Sequence, residues 1–120
     1  MERRAYPRVE VSHTVLYFTD FYPRPTVAST LDLSLGGTKI QSLYGLSSAE
    51  GLRLSIAIQP QVLKTRGKVV HVSERESGRV EAGIQFEKMS ENDHHILKQY
   101  LFQVMEQQAL ESFSGENTPH

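Results

Sequence analysis

No cysteine occurs in the 120 residues, and with it go disulfide frameworks, thiolate zinc sites and cysteine nucleophiles. The absence also fits a reducing compartment. Glycine and proline are scarce, at 8 and 5 residues, which excludes collagen-like and low-complexity chains, and 38% hydrophobic with 22% charged residues is a globular composition. Long apolar runs are missing too. Nothing approaches the roughly 18 residues of a membrane span, and Met1-Glu2-Arg3-Arg4 leads into no apolar signal core, so a cytoplasmic protein with no membrane insertion is expected. Neither charge is in excess: 13 Lys and Arg against 14 Asp and Glu leave a net charge of −1, which argues against nucleic acid as a partner, because such domains are usually basic over one face. The length allows one modest core and one domain, not a multidomain enzyme.

The charge that is present is unevenly placed. Arg3, Arg4 and Arg8 fall within the first eight residues, whereas the last ten contain Glu111, Glu116 and no Lys or Arg. A small anion site near the N-terminus is therefore permitted where a polyanion groove is not.

After Pro7 the chain reads as short strands. Val9, Val11, His13, Val15, Tyr17 and Thr19 share one face of an extended segment, with Leu16 and Phe18 on the other, up to Tyr22-Pro23-Arg24-Pro25. Thr26 to Leu33 is rich in β-branched residues, and Gly36-Gly37 separates it from a short strand over Thr38 to Leu43. Leu52 to Ile58 alternates with period two and stops at Pro60. Val62 to Ser73 and Arg79 to Phe86 flank the polar turn Glu74 to Gly78 and form a hairpin most simply. The period then changes: Ser90 and Asp93 resemble a capping box, and Ile96, Leu97, Tyr100, Leu101, Val104 and Met105 follow at helical spacing, predicting a helix over 91–111. Residues 112–120 have little to bury and are expected to be disordered. The expected organisation is an arginine-bearing flexible arm over 1–8, a barrel with its helix over 9–111, and the tail. The fold class is all-β, an antiparallel barrel or sandwich of about six strands with one C-terminal helix.

Motifs for catalysis are absent: there is no phosphate loop ending in Lys-Ser or Lys-Thr, no His-Glu-x-x-His and no Gly-x-Ser-x-Gly. His94 and His95, adjacent on a helix, point about 100° apart and cannot share a metal as positions four apart could. They read as solvated. Asp93 reads as a helix-start residue, where the helix dipole favours negative charge. Neither an enzyme nor a metal or cofactor site is expected.

Two clusters remain. Arg4-Ala5-Tyr6-Pro7-Arg8 places two guanidinium groups four apart in a segment that Pro7 keeps from ordinary helix. In Asp32-Leu33-Ser34-Leu35-Gly36-Gly37, Asp32 and Ser34 point to one side of an extended segment, while Gly37 lets the backbone turn and a ligand approach closely.

Arg-x-x-x-Arg followed by Asp-x-Ser-x-x-Gly, with 24 positions from Arg8 to Asp32, resembles the PilZ domain family, bacterial receptors for the second messenger cyclic di-GMP. The resemblance covers roughly residues 2–105, since Gly67 to Val72 and Val80 to Phe86 look like the family's later barrel strands and the helix follows in place. It implies a six-stranded antiparallel barrel with a C-terminal helix and a cyclic di-GMP site at Arg3, Arg4, Arg8, Asp32, Ser34, Gly36, Gly37 and His71. It further implies a stand-alone receptor that relays the signal to an effector protein in processes such as motility or biofilm formation. In the family, an arginine at the place of Arg3 accompanies binding of an intercalated nucleotide pair, so two ligands per chain are expected. His71 aligns with a strand position that in some relatives holds an aromatic residue against a guanine; stacking and a solvated strand histidine both fit it.

The chemistry is coherent apart from the name. Arginine can fork onto phosphate oxygens or guanine O6 and N7 and can stack on a purine. A carboxylate at Asp32 can accept from the guanine N1–H and N2–H₂ edge, which adenine does not present. The runner-up is a nucleotide-independent interaction module of the same fold serving pilus or flagellar machinery. A small barrel binding single-stranded nucleic acid is disfavoured by the charge balance and by the scarcity of aromatics among basic residues.

Overall fold

A computed structural model describes residues 6–21 and 24–116. Six strands run β1 (Thr14–Thr19), β2 (Thr26–Leu33), β3 (Gly37–Ser42), β4 (Gly51–Ile58), β5 (Gln61–Glu74) and β6 (Val80–Met89), followed by helix α1 (Glu91–Glu116). All neighbours pair antiparallel and the sheet closes on itself in the order β1-β2-β3-β6-β5-β4.

Period-two alternation builds the barrel. Leu52, Leu54, Ile56 and Ile58 on β4 point inward and are buried, while Arg53, Ser55 and Ala57 between them face outward. Val15 and Tyr17, Ile40, Leu63, Val69, Ala82 and Ile84 complete the filling. Tyr17 carries a polar atom into this core, and its hydroxyl lies 2.9 Å from Ser42 Oγ, so it keeps a partner. Burial pushes its phenol above the ordinary range.

The expected first strand is interrupted. Its odd positions do face inward, but the regular ladder starts only at Thr14. Val9 instead forms a separate bridge, exchanging both backbone hydrogen bonds with Leu33 at 2.9 Å. Thr30 holds the stretch between, accepting from the His13 N–H and donating to the Val11 carbonyl through its buried hydroxyl.

At the helix start, Ser90 Oγ accepts from Asp93 N at 3.0 Å, as a cap should. The Asp93 carboxylate does not reach back to Ser90; it accepts from Lys64 N at 3.1 Å, just past the last β5–β6 pair, and so ties α1 to the sheet. His94 and His95 are exposed. Leu97 and Leu101 are buried against the barrel, with Ile96, Tyr100, Val104 and Met105 beside them. Tyr100 also meets His13: Nε2 and the hydroxyl share a hydrogen bond of 2.6 Å, with the rings edge to face. Helix α1 runs to Glu116, five residues beyond the expected end. From Glu106 onward its described side chains are exposed, so the burial pattern that marks a helix in sequence ends before the backbone hydrogen bonding does. Of the tail expected over 112–120, residues 117–120 lie outside the described residues.

At the start of β3, a Cβ on Gly37 would stand 2.2 Å from the Ile84 carbonyl oxygen of β6. No side chain fits there without separating the two strands. Gly45 has open space around it. Gly37→Ala is therefore expected to lower unfolding free energy by about 2 kcal/mol or more, and Gly45→Ala to leave it within about 0.5 kcal/mol, both measured by urea denaturation. Equal midpoints for the two variants would show that β3 and β6 tolerate the intrusion.

Burial holds the His13 imidazole below its usual pKa of 6.5, opposed by a hydrogen bond with the Ala57 backbone. Above that value the ring is neutral in both folded and unfolded chains and its contribution is complete. As pH falls below 6.5 the unfolded chain takes up the proton first, so stability declines until the folded-state ring also titrates. Moving from about pH 7.5 to about pH 5.5 should lower the urea midpoint more in the wild-type chain than in His13→Gln. Parallel declines would assign the effect to other groups.

Candidate functional site

A cleft of about 720 Å³ lies on the outer face of the barrel, where β3, β6 and the C-terminal half of β5 meet the segment leading to Val9. Its walls include Tyr6, Arg8, Gly36, Lys39, His71 and Arg75. The volume is within the usual range of about 300–1,000 Å³ for ligand sites.

Arg8 reaches the cleft from the N-terminal segment, and its Nη1 donates to Asp32 Oδ2 at 3.0 Å. The other carboxylate oxygen, Oδ1, accepts from Lys39 N at 3.0 Å. A register shift between Thr30 and Asp32 goes with this, since it lets Thr30 and Leu33 both be buried while Asp32, which strict alternation would turn inward with Thr30, stays partly exposed opposite Lys39. Asp32 thus holds β3 with one oxygen and Arg8 with the other. Arg3 and Arg4 lie outside the described residues, as does the arm up to residue 5; Tyr6 and Arg8 are in contact with the barrel surface.

Ser34 and the two glycines divide the work differently from the expectation. The Ser34 hydroxyl accepts from Gly36 N at 3.2 Å and Gly37 N at 3.1 Å and donates to Gly37 O at 3.2 Å. It closes the β2–β3 turn rather than extending toward solvent, and Ser34 is buried. Gly37, read in sequence as the point of ligand approach, is required against β6. Both glycines line the cleft, and at Gly36 an added Cβ would lie 3.0 Å from the Tyr6 ring. Neither glycine adopts a positive φ; both provide room.

His71 is exposed on β5, opposite Gly83 at a second register shift, and joins the same wall. The structure therefore brings together Arg8, Asp32, Ser34, Gly36, Gly37 and His71. Sequence reasoning left out Tyr6, Lys39 and an ion pair in which Arg75 Nη2 donates to Glu81 Oε1 at 2.7 Å. That hydrogen bond holds the Glu81 carboxyl below the usual carboxylate range and raises Arg75. Only the β5–β6 register, Ser73 opposite Glu81, places this pair beside the cleft. Outward alternation on β3 was the available signal for Lys39.

The resulting site has Arg8, Lys39 and Arg75 around an open cleft, its two nearby carboxylates engaged with arginines, and a tyrosine and a histidine on the walls. Such a set suits an anion with planar groups. Among the described residues no cluster of His, Asp and Glu has the makings of a metal site, and no helix is long and apolar enough to cross a membrane.

Comparison with known structures agrees with this architecture. The inhibitor of motility MotI (DgrA) of Bacillus subtilis matches with a TM-score of 0.75 at 21% identity over 88% of this chain and 52% of that one. YcgR of Escherichia coli in complex with c-di-GMP matches with a TM-score of 0.76 at 19% identity over 97% of this chain and 51% of that one. The chain thus spans about half the length of these two proteins. The isolated PilZ domain of YcgR with c-di-GMP is matched in full, covering 98% of this chain and 100% of that one, with a TM-score of 0.73 at 17% identity. At such identities the likeness is one of fold. No curated protein matches the chain at a significant level. The family model of the PilZ domain matches residues 2–103, most of the chain and all six strands, and the protein belongs to the PilZ domain family.

Proposed function

We propose that the chain is a receptor for cyclic di-GMP, which it binds in this cleft without catalysis and whose presence it relays to a protein partner. The observation that supports the reading most is the meeting of Arg8 with Asp32, 24 residues apart in sequence, at the rim of a cleft walled by Gly36 and His71. Arg8 supplies a fork for phosphate or for the guanine O6 and N7 edge, and Arg4 supplies a second. Asp32 holds Arg8 at the rim of the cleft. Its oxygens keep lone pairs beyond the bonds to Arg8 and Lys39, so the carboxylate still has acceptor capacity for the guanine N1–H and N2–H₂ edge. Gly36 gives a purine room that the Tyr6 ring now occupies, and His71 offers a face for stacking. Arg3 adds a cation that one nucleotide would leave without a partner, which favours two nucleotides per chain. A module of the same fold that works without nucleotide would fail the titrations below.

Calorimetric titration with cyclic di-GMP, with GTP as control, is expected to show selective binding of two nucleotides. Arg4→Ala and Arg8→Ala should each weaken it by at least about 2 kcal/mol, roughly thirtyfold. Thermal stability should hardly change, since the Arg8–Asp32 pair is partly exposed and such pairs contribute little. Variants that bind normally, or that lose binding only by unfolding, would sink the assignment.

Asp32→Asn retains an acceptor for Lys39 N and removes the charge that faces Arg8 and the guanine edge. It is expected to bind cyclic di-GMP more weakly and to narrow the preference over cyclic di-AMP, measured with both ligands on the same variant. An unchanged preference would place base selection elsewhere in the cleft.

A further inference from the structure

A second charged surface lies on the barrel away from the cleft. Phe18 on β1, Arg53 on β4, Arg66 on β5 and Lys88 on β6 are successive cross-strand partners and form one row across four strands. Lys64 and Lys68 flank Arg66 at alternate positions of β5, and both are exposed. A depression of about 410 Å³ is lined by Phe18, Arg53, Lys64, Arg66 and Lys88 together with one apolar and two hydroxyl-bearing neighbours. In a chain of net charge −1, five cations are gathered on one face.

This arrangement is costly for the sheet itself. Like charges placed directly opposite each other on neighbouring strands are destabilising, and here Arg53 faces Arg66, which faces Lys88. Two carboxylates border the row, Asp93, which accepts from Lys64 N at 3.1 Å, and Asp20, and neither pairs closely with a cation of the row. Arg66 Nη2 stands 4.0 Å from Asp20 Oδ1, with both side chains at least half exposed, and Arg53 lies over the Phe18 ring at 4.9 Å. Among the described residues Arg53, Lys64 and Lys88 enter no ion pair.

We infer that this face docks an acidic, extended segment of a partner protein. Alternate residues of an extended chain recur every ~6.6 Å, and Lys64, Arg66 and Lys68 have the same repeat along β5. Carboxylates at every second residue of a segment laid along that strand meet the three cations in register. Arg53 and Lys88 stand one strand to either side, about 5 Å away, and close over the segment. A bilayer is a poorer match, because the aromatic of the row, Phe18, is half-buried beneath Arg53 rather than free to insert. Nucleic acid is poorer still, given a basic area about two strand spacings wide on an otherwise acidic chain. The inference does not depend on the nucleotide reading.

The test uses a fluorescein-labelled peptide of alternating Glu and Ser, titrated with the full chain and followed by anisotropy. Saturable binding that weakens with added salt is expected. Arg66→Glu should weaken it at least about tenfold while leaving the thermal midpoint unchanged or higher, since the substitution turns a row of like charges into an alternating one. Asp20→Asn should tighten binding by about threefold, because it removes the internal competitor. Absence of binding by the wild-type chain, equal affinity in Arg66→Glu, or tighter binding of oligothymidylate or of phosphatidylserine-containing vesicles at the same residues would overturn the inference.

Discussion

Closure of the sheet is the constraint from which the rest follows. Six strands that pair all the way round leave no open sheet edge among the described residues, so no strand is offered for edge-to-edge aggregation. The interior is then fully committed: Val15, Tyr17, Leu54, Ile56 and Ile84 fill it. Any ligand or partner has to be met on the outside. Both charged surfaces of the molecule are accordingly built from outward-facing positions and from the one segment, Tyr6 to Val9, that crosses the barrel without belonging to it.

Closing the ring at β3 and β6 demands a tight turn and an intimate strand contact, and both are met within Ser34 to Gly37. The Ser34 hydroxyl gathers the two glycine amides, and Gly37 lets the Ile84 carbonyl come close. With those in place the bulge at Asp32 faces Arg8, and Gly36 is left uncovered except by Tyr6. The geometry of the cleft is thus a by-product of barrel closure at this corner. It also explains why a short polar motif carries fold and site together.

Much of this was legible in the sequence, and the gaps have physical causes. Period-two burial revealed β4, the β5–β6 hairpin and the inner face of β1, because one filled interior enforces alternation. Helical spacing revealed α1 over 91–111 through the apolar run that ends at Met105; from Glu106 onward the described side chains are exposed, so the last turns have no burial pattern by which to read their end. Arg8, Asp32 and Gly36 were legible as residue types in a motif, but not their division of labour. Whether Ser34 serves a ligand or a turn, and which glycine faces which neighbour, depends on a one-residue bulge and on strand register, and neither has a compositional signal. The same holds for the Arg75–Glu81 pair and for the row from Arg53 to Lys88, where residues distant in sequence become neighbours only after the strands are ordered around the barrel. A net charge of −1 concealed that row, since an average says nothing about how the cations are distributed.

The two-handed grip of Asp32 also affects what happens when its arginine changes partner. An arginine side chain that is already confined has surrendered part of its rotamer freedom, an expense of up to about 2 kcal/mol for a free one. On the proposed function, an anion at the rim would replace a carboxylate around a guanidinium that is partly ordered and partly desolvated, at a smaller loss of entropy than for a freely swinging side chain. The sheet does not have to rearrange in the exchange, because the bond from Lys39 N keeps Asp32 anchored on β3.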